Sequence, residues 1–406
     1  MLGRSGRTRA LTLVIGLVSA ATVTGVGVAS GTVAADGPNV GTPWVVTVGD
    51  SAISGEAGRW AGNTNQSSSK VDAGGPDAYF DNATRTAEQI PGCHRSEAAE
   101  AHIFGGANSL NLACSGARTY TQAGSPFKPG LDFYNGAGGK GQALMLQEFA
   151  ATHNVEAVTV LIGANNFGFA DIVQQCVTNW LTSPSWWKNY CHDDSSISSR
   201  FTASAVAART NEVAGAILNV AAAMTNAGYT SNDYKLIVQT YSSPIPRGSQ
   251  FRYAESGWTR QTIGGCGVWN RDADWANDTA VVKMNHALTQ GAAQTGLPNI
   301  VILDAVAALD GRRLCETGVG LLEEKGVATW QSPGAVDKTE WVSQIRTVTT
   351  IFGPYQLQEG IHPSFWGELA LRNCLRLAYN GGAVRGGRCV RQANGLVGGE
   401  PIMQLI

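Results

Sequence analysis

This sequence is poor in charge. Lys, Arg, Asp and Glu make up only 15% of its 406 residues, against roughly 25% in ordinary soluble proteins, and no Lys/Arg run exceeds two residues. A nucleic-acid binder needs a dense basic face to displace counterions from phosphates. The net charge of −2 therefore argues against that class, and we expect no nucleic-acid partner.

Long apolar runs and metal-site spacings are also missing. Nothing after residue 30 approaches the roughly 18 apolar residues of a membrane-spanning helix, so we expect no stable span in the body of the chain. No C-x-x-C pair and no Cys/His cluster with zinc spacing occurs, so we expect no metal site. The sequence has no internal repeat and no low-complexity linker. Glycine, in contrast, is abundant at 50 residues and indicates many turns and long loops.

The N-terminus has the pattern of a targeting segment. Three early arginines precede an apolar stretch over 10–29, and the small residues Val33-Ala34-Ala35 fit a cleavage signal before Asp36. We therefore predict a signal peptide over 1–35 and a secreted, extracellular protein. An uncleaved N-terminal anchor is the alternative. We expect a monomer.

The cysteines fit an exported chain. An even number of cysteines in an oxidising compartment indicates disulfides, although eight allow 105 connectivities. Sequential pairing is the simplest hypothesis, because each bridge would then staple one local loop. The pairs would be Cys93–Cys114, Cys176–Cys191, Cys266–Cys315 and Cys374–Cys389.

Strand and helix patterns alternate along the chain. Short Val/Ile-rich runs suit parallel strands that are buried on both faces, and they lie at 44–48, 157–162, 235–240 and 299–303. Helical spacing of apolar residues lies between and after them, at 141–152, 205–227, 279–295 and 367–379. The alternation predicts one α/β domain with a mostly parallel sheet over 36–390. A tail over 391–406 is expected to be loosely ordered from Gln392 onward.

Two candidate chemical motifs come early in the chain. Gly49-Asp50-Ser51 follows the first strand directly, where a serine can expose its hydroxyl above the sheet edge and its own N–H can act as an oxyanion donor. Gly116, in the run LACSGA, can offer its N–H at close approach. Taken alone, the first motif is also explained by an ordinary turn, and the second by a loop pinned by Cys114.

Two further motifs come later. Asn165 directly follows the second strand and can donate a side-chain N–H to an oxyanion, although an Asx turn is the ordinary interpretation. His362, in Glu359-Gly360-Ile361-His362-Pro363, is a natural general base, and Glu359 could fold back to hold its ring. The other five histidines lack such a context, and we expect surface or structural roles for most of them.

Together, and in this order, the four motifs resemble the blocks of the SGNH (GDSL) hydrolase family. The resemblance spans about residues 43 to 380. The runs VVTVGDSAISGEAG, CHRS, LACSGA and GGC, followed by DADWAN, are similar to the secreted actinobacterial esterases and lipases of this family, the Streptomyces scabies esterase type. This resemblance supports the disulfide pairings Cys93–Cys114, Cys176–Cys191 and Cys266–Cys315.

The resemblance implies a three-layer α/β/α domain with a mostly parallel, flavodoxin-like central sheet and long disulfide-stapled loops. It also implies a serine esterase or lipase, with Ser51 as nucleophile, His362 as base and an oxyanion hole formed by Ser51, Gly116 and Asn165. Such chemistry requires no metal and no organic cofactor. The partner would be a lipid or small acyl ester.

Two positions depart from the family pattern. Asn166 stands where the family has Asp, and Glu359 stands where the family has the Asp that orients the histidine. We expect Glu359 to contribute to catalysis by orienting His362, although the resemblance leaves a backbone carbonyl as the alternative. A carbohydrate acetyl esterase on the same scaffold and a catalytically silent lipid- or glycan-binding protein are the competing functions.

Overall fold

The computed structural model describes residues 36–346 and 354–406. The predicted signal peptide lies outside the described residues. Within these described ranges, seven strands form the main sheet, in the order β2-β1-β5-β6-β7-β8-β9. Their bounds are β1 Pro43–Gly49, β2 Asn108–Asn111, β5 Asn154–Leu161, β6 Lys235–Gln239, β7 Ile300–Asp304, β8 Gly387–Val397 and β9 Glu400–Leu405. The two-residue strands β3 Asn135–Gly136 and β4 Gly139–Lys140 pair in a separate hairpin.

In the main sheet of the described residues the pairings from β2 through β8 are parallel, and β9 runs antiparallel to β8. Without the small hairpin, the first five strands follow the order 2-1-3-4-5 of a flavodoxin-like sheet. The central strands are buried on both faces because their Val, Ile and Leu side chains alternate between two covered surfaces; Val45, Val46 and Val48 are all 0% exposed. The prediction of an α/β fold with a mostly parallel sheet is confirmed.

The helices cover this sheet. α5 packs against α2 and against α8, whereas α10 packs on β7, β8 and β9. The α-helices are α1 Ser51–Ser54, α2 Gln142–Ala150, α3 Phe169–Thr182, α4 Ser195–Ser198, α5 Ala203–Asn226, α6 Thr259–Thr262, α7 Asn270–Trp275, α8 Val281–Gln294, α9 Ala335–Lys338 and α10 Phe365–Tyr379. A π-helical turn over Ala276–Ala280 joins α7 to α8, and short 3-10 turns lie at Ser68–Lys70, Ala164–Asn166, Cys191–Asp193, Ser199–Phe201, Gly248–Gln250, Glu323–Lys325, Leu357–Glu359 and Asn380–Gly382. No helix among the described residues is long and apolar enough to cross a membrane.

Four disulfides fasten the loops to this frame. They join Cys93–Cys114, Cys176–Cys191, Cys266–Cys315 and Cys374–Cys389, which are the sequential pairs expected from the sequence. Each bridge closes a loop of 15 to 49 residues of sequence separation. Cross-links of this kind restrict the unfolded chain and so stabilise long glycine-rich loops.

The expectation of a loosely ordered C-terminal tail was wrong. Residues 391–406 are not a loose tail, because most of them form β8 and β9, which extend the main sheet. Cys389 at the start of the hairpin is bonded to Cys374 in α10, and Arg376 of α10 pairs with Glu400. This disulfide and ion pair, together with the buried Met403, hold the hairpin against the rest of the domain.

Candidate active site

Ser51 stands where the first parallel strand gives way to a helix. β1 ends at Gly49, and the Asp50 carboxylate caps α1 by accepting from the Ala52 N–H at 3.1 Å. Gly49 has a φ of +150°, and a Cβ on it would lie 2.0 Å from the Leu161 carbonyl oxygen of β5. Only glycine therefore lets the two strands approach here. Ser51 is left 7% exposed, at the carboxyl edge of the sheet.

His362 lies against Ser51, although 311 residues separate them. Its Nε2 is 2.7 Å from the Ser51 Oγ, and its Nδ1 is 3.2 Å from the Gly360 carbonyl oxygen. In this geometry Nδ1–H donates to the Gly360 oxygen, which leaves Nε2 free to accept the Ser51 hydroxyl proton. Burial lowers the pKa of His362, and the charge of Glu56 opposes that shift. The imidazole is therefore mainly neutral near pH 7 and can act as a base.

Contrary to the expectation from the sequence, the Glu359 carboxylate does not hydrogen-bond to the His362 ring. One carboxylate oxygen accepts from the Tyr79 hydroxyl at 2.5 Å, and the other accepts from Trp60 Nε1 at 2.8 Å and from the Gln356 N–H at 2.8 Å. These three donors use the carboxylate, so the backbone carbonyl of Gly360 orients His362 instead. The hydrogen bonds to the Glu359 carboxylate fix the 3-10 turn over Leu357–Glu359. Glu359 therefore influences His362 only through the backbone of this turn.

Asn165 comes to the same edge from the end of β5. Its Nδ2 donates one hydrogen to the Ala117 carbonyl oxygen at 2.9 Å, which fixes the amide plane and leaves the second hydrogen available. Asn165, Ser51 and His362 all line one cavity. Gly116 is next to Ala117, at a φ of +79°, but does not line that cavity. The backbone N–H groups of Ser51 and Gly116 have no acceptor among the described residues.

The amide of Asn166 has a structural explanation. Its Nδ2 donates to the Thr119 hydroxyl and to the Glu212 carboxylate, each at 2.7 Å, and its Oδ1 accepts from the Thr119 N–H at 3.2 Å. An aspartate here would place a second carboxylate beside Glu212. The Asn166 amide instead donates a hydrogen bond to Glu212 of α5 and so keeps the turn over Ala164–Asn166 in place.

Tyr241 is a site residue that no sequence motif indicates. Its hydroxyl donates to Asp50 Oδ2 at 2.5 Å and accepts from the Ala164 N–H at 3.0 Å, so it joins the serine turn to the asparagine turn. Burial raises the pKa of Asp50 to about 7, while the bond from Tyr241 opposes this. The available signal was position, because Tyr241 follows β6 at the same carboxyl edge of the sheet.

A second buried polar cluster supports the histidine segment. His94 Nδ1 lies 2.8 Å from Glu56 Oε1, and the imidazole stacks on Tyr79 with ring centroids 4.4 Å apart. The Gln358 amide contacts the His94 ring at 2.7 Å. Because Gln358 and Tyr79 also hold the turn that precedes His362, this cluster positions that turn. Its members come from distant parts of the chain, so no sequence spacing indicates it.

The cavity beside Ser51 is mainly apolar. Phe169, Val281, Met284 and Ile361 belong both to its wall and to the wall of a second apolar cavity further along α3. The second cavity is also lined by Ile172, Val173, Cys176, Ile245, Val268 and Trp275. The two cavities thus share a wall and together follow one face of α3 away from the Ser51–His362 pair.

The described residues contain one group with metal-ligand geometry, formed by Cys176, Cys191 and Asp272. The two sulfurs are bonded to each other, so neither is a thiolate. Asp272 Oδ1 lies 2.6 Å from His192 Nδ1 and its carboxylate also accepts from the N–H of Cys191. The arrangement is that of a disulfide and an adjacent hydrogen-bonded carboxylate.

Comparison with protein-family models finds no match, and comparison with curated proteins finds none either. Among solved structures, the chain is similar to an extracellular lipase from Streptomyces rimosus, with 17% identity, 81% of this chain and 95% of that chain covered, and a TM-score of 0.43. It is also similar to phospholipase A1 from Streptomyces albidoflavus NA297, with 17% identity, 82% and 97% coverage, and a TM-score of 0.39. A third similar structure is Est24, a carbohydrate acetylesterase from Sinorhizobium meliloti, at 11% identity, 82% and 96% coverage, and a TM-score of 0.33. These likenesses are too distant to assign a function.

Proposed function

We propose that this chain is a serine ester hydrolase in which Ser51 is the nucleophile and His362 the general base. The observation that carries the proposal is the 2.7 Å contact between Ser51 Oγ and His362 Nε2, with Nδ1 of the same ring on the Gly360 carbonyl. A serine hydroxyl is a weak nucleophile until a neighbouring base can take its proton. The neutral, buried imidazole meets that requirement.

The reaction follows in two halves. In the first, Ser51 Oγ bonds to the ester carbonyl carbon as its proton passes to His362 Nε2, and the same proton then passes to the leaving alkoxide as the C–O bond breaks. In the second, His362 takes a proton from water, the resulting hydroxide attacks the acyl-serine, and the proton returns to Ser51 Oγ as the carboxylic acid leaves. The Gly360 carbonyl stabilises the imidazolium in both halves.

The negative oxygen of the tetrahedral intermediate needs donors. The Ser51 and Gly116 N–H groups and the second hydrogen of Asn165 Nδ2 are the donors that we assign to it. Support for this assignment is that these two N–H groups lack another acceptor among the described residues and that Ala117 fixes the Asn165 amide. Loss of one such donor typically costs about 3–4 kcal/mol of transition-state stabilisation.

The cavities favour an ester with an apolar acyl group. From Phe169, beside Ser51, to Cys176, at the wall of the second cavity, α3 rises by roughly 10 Å. Apart from Asp50 in the first cavity and Asp272 in the second, the side chains that line this path are uncharged. An acyl chain of medium length would occupy this path, whereas an acetyl group would fill only its beginning. The four disulfides support the accompanying proposal that the protein is exported.

Hydrolysis of p-nitrophenyl esters from acetate to palmitate tests the proposal. We expect turnover by the mature protein, a maximum at medium chain length, and loss of turnover in Ser51→Ala. The matched control is Ser242→Ala, because Ser242 lines the same cavity but its hydroxyl donates to the Ala305 carbonyl at 2.6 Å. This variant should retain turnover.

Three results would overturn parts of this proposal. Turnover that persists in Ser51→Ala would remove Ser51 as the nucleophile. A folded wild-type protein that hydrolyses none of the esters would favour a binding protein. Turnover of acetate alone, together with release of acetate from acetylated xylan, would keep the mechanism but assign a carbohydrate esterase in place of an enzyme for apolar acyl esters.

A further inference from the structure

Three tryptophans project from the surface at the far end of α3. Trp186 is 82% exposed, Trp187 is 73% exposed and Trp258 is 58% exposed. Leu181, in the last turn of the same helix, is 38% exposed. Side chains of this size normally bury most of their surface, so several of them exposed together mark an interaction site. We call Leu181, Trp186, Trp187 and Trp258 the tryptophan patch.

The patch stands on a rigid base. Trp180 and Trp269 are both 2% exposed, their ring centroids are 6.0 Å apart, and Trp180 packs edge-on against Trp258 at 5.7 Å. Lys188, next to Trp187, lies over the Trp269 ring at 5.4 Å and pairs with Glu255. The Cys176–Cys191 disulfide closes the loop that carries Trp186 and Trp187. The exposed rings are therefore held out by ordered structure.

The patch also continues the apolar path from the candidate active site. The face of α3 that lines the two cavities ends with Cys176, and Trp180 follows one turn later. Val268 of the second cavity is next in sequence to Trp269, which belongs to the base of the patch. Phe169 at the Ser51 end and Leu181 at the patch end lie about 18 Å apart along the axis of this one helix.

The chemistry of the patch fits a lipid–water interface. Tryptophan prefers the boundary between acyl chains and water, because its ring is apolar and its N–H can meet polar groups. The rings of Trp186 and Trp187 stand at 85° to each other, so they do not form the flat platform on which a sugar ring stacks. Lys188, the cation beside these rings, is already paired with Glu255. Binding of the patch to a lipid surface would therefore not depend on anionic lipid.

We propose that the tryptophan patch docks this protein onto the surface of a lipid aggregate. Insertion of the three rings at the acyl boundary would place α3, and the apolar path along it, next to the lipid. The inference concerns a surface separate from the Ser51–His362 pair, so it stands or falls independently of the ester chemistry.

Vesicle sedimentation with the full-length mature Ser51→Ala protein tests this inference without hydrolysis. We expect partition onto large phosphatidylcholine vesicles, changed by less than about twofold between low and high salt, because no counterions are released. Removing one ring by Trp186→Ala or Trp258→Ala should weaken partition about tenfold, and the Trp186→Ala/Trp187→Ala pair by considerably more.

The matched control is Phe104→Ala. Phe104 is 60% exposed but contacts Arg372, away from the patch, so its loss should leave partition unchanged. A second measurement needs no substitution of the patch: doxyl-labelled phosphatidylcholine should quench the tryptophan emission of the parent protein.

Equal partition of the parent and the tryptophan variants would overturn the inference, as would an equal loss in Phe104→Ala or an absence of quenching. Retention on insoluble xylan that requires Trp186 and Trp187, without vesicle binding, would assign the patch to a glycan instead. Concentration-dependent dimerisation that requires these rings would assign it to a second copy of the chain.

Discussion

The buried carboxyls of Glu100 and Glu368 make the stability of this fold depend on pH. Both side chains are 0% exposed, and the Glu100 N–H donates to Glu368 Oε2 at 3.0 Å. Burial raises the pKa of Glu100 from its ordinary 4.5 to about 8, although Gln239 donates to both of its oxygens. Burial and the charge of Glu100 also raise the pKa of Glu368.

The size of the effect follows from the two pKa values of Glu100. Between pH 4.5 and about 8 the Glu100 carboxyl keeps, in the folded state, a proton that the same carboxyl has lost in the unfolded chain. The free energy of unfolding therefore falls by about 1.4 kcal/mol for each pH unit. The stability is fully present below pH 4.5 and is lost as the pH rises to about 8, and the difference of 8 − 4.5 units corresponds to about 5 kcal/mol.

Glu100→Gln keeps the shape of the side chain and removes its titration. Urea unfolding across this pH range should show a variant that equals the wild type at low pH and exceeds it by up to about 5 kcal/mol at alkaline pH. Glu148→Gln is the control, because Glu148 is an exposed partner of Lys140 and its loss should matter little at any pH. A Glu100→Gln difference that stays constant with pH would refute the reasoning.

Three further predictions concern the site. Tyr241→Phe removes the hydroxyl that joins Asp50 to the Ala164 N–H, so ester hydrolysis should show a kcat lowered about tenfold with little change in KM; an unchanged kcat would contradict this positioning role. Asn166→Asp should lower both activity and thermal stability through repulsion by Glu212, and adding Glu212→Gln should restore them, whereas no rescue would show that the repulsion is not the cause. Because burial lowers the pKa of His362, the acid limb of the kcat/KM profile should have its midpoint below the ordinary histidine value of 6.5, and a midpoint above it would contradict a neutral buried base.

The sequence predicted the elements with strong apolar patterns. The four Val/Ile-rich strands and the four helical patterns correspond to β1, β5, β6, β7 and to α2, α5, α8, α10. The sequence pattern does not indicate α3, because the tryptophans and cysteines around it are typical of a disulfide loop and Gly168 offers no side-chain cap at its start. It does not indicate β8 and β9 either, because β8 is rich in polar residues and glycine and β9 begins with Glu400 and Pro401.

The candidate site shows the same limit. The order of motifs along the chain predicts that Ser51 and Asn165 follow strands and that His362 precedes a helix, as the structure has them. The partners of Glu359 are not, because Trp60 and Tyr79 lie 299 and 280 residues away in sequence. The spacing of three residues therefore predicted a contact between the Glu359 carboxylate and the His362 ring. In the fold, that carboxylate accepts hydrogen bonds from Trp60 and Tyr79 instead.

Covalent labelling of Ser51 tests the central claim most directly. A fluorophosphonate reacts with a serine only where a neighbouring base activates the hydroxyl and donors hold the new oxyanion. Peptide mass spectrometry of the treated mature protein should place a single label on Ser51, and His362→Ala should abolish the labelling while leaving the four disulfides intact. A folded protein without label, or a label on another serine such as Ser242, would contradict the assignment of Ser51 as the nucleophile.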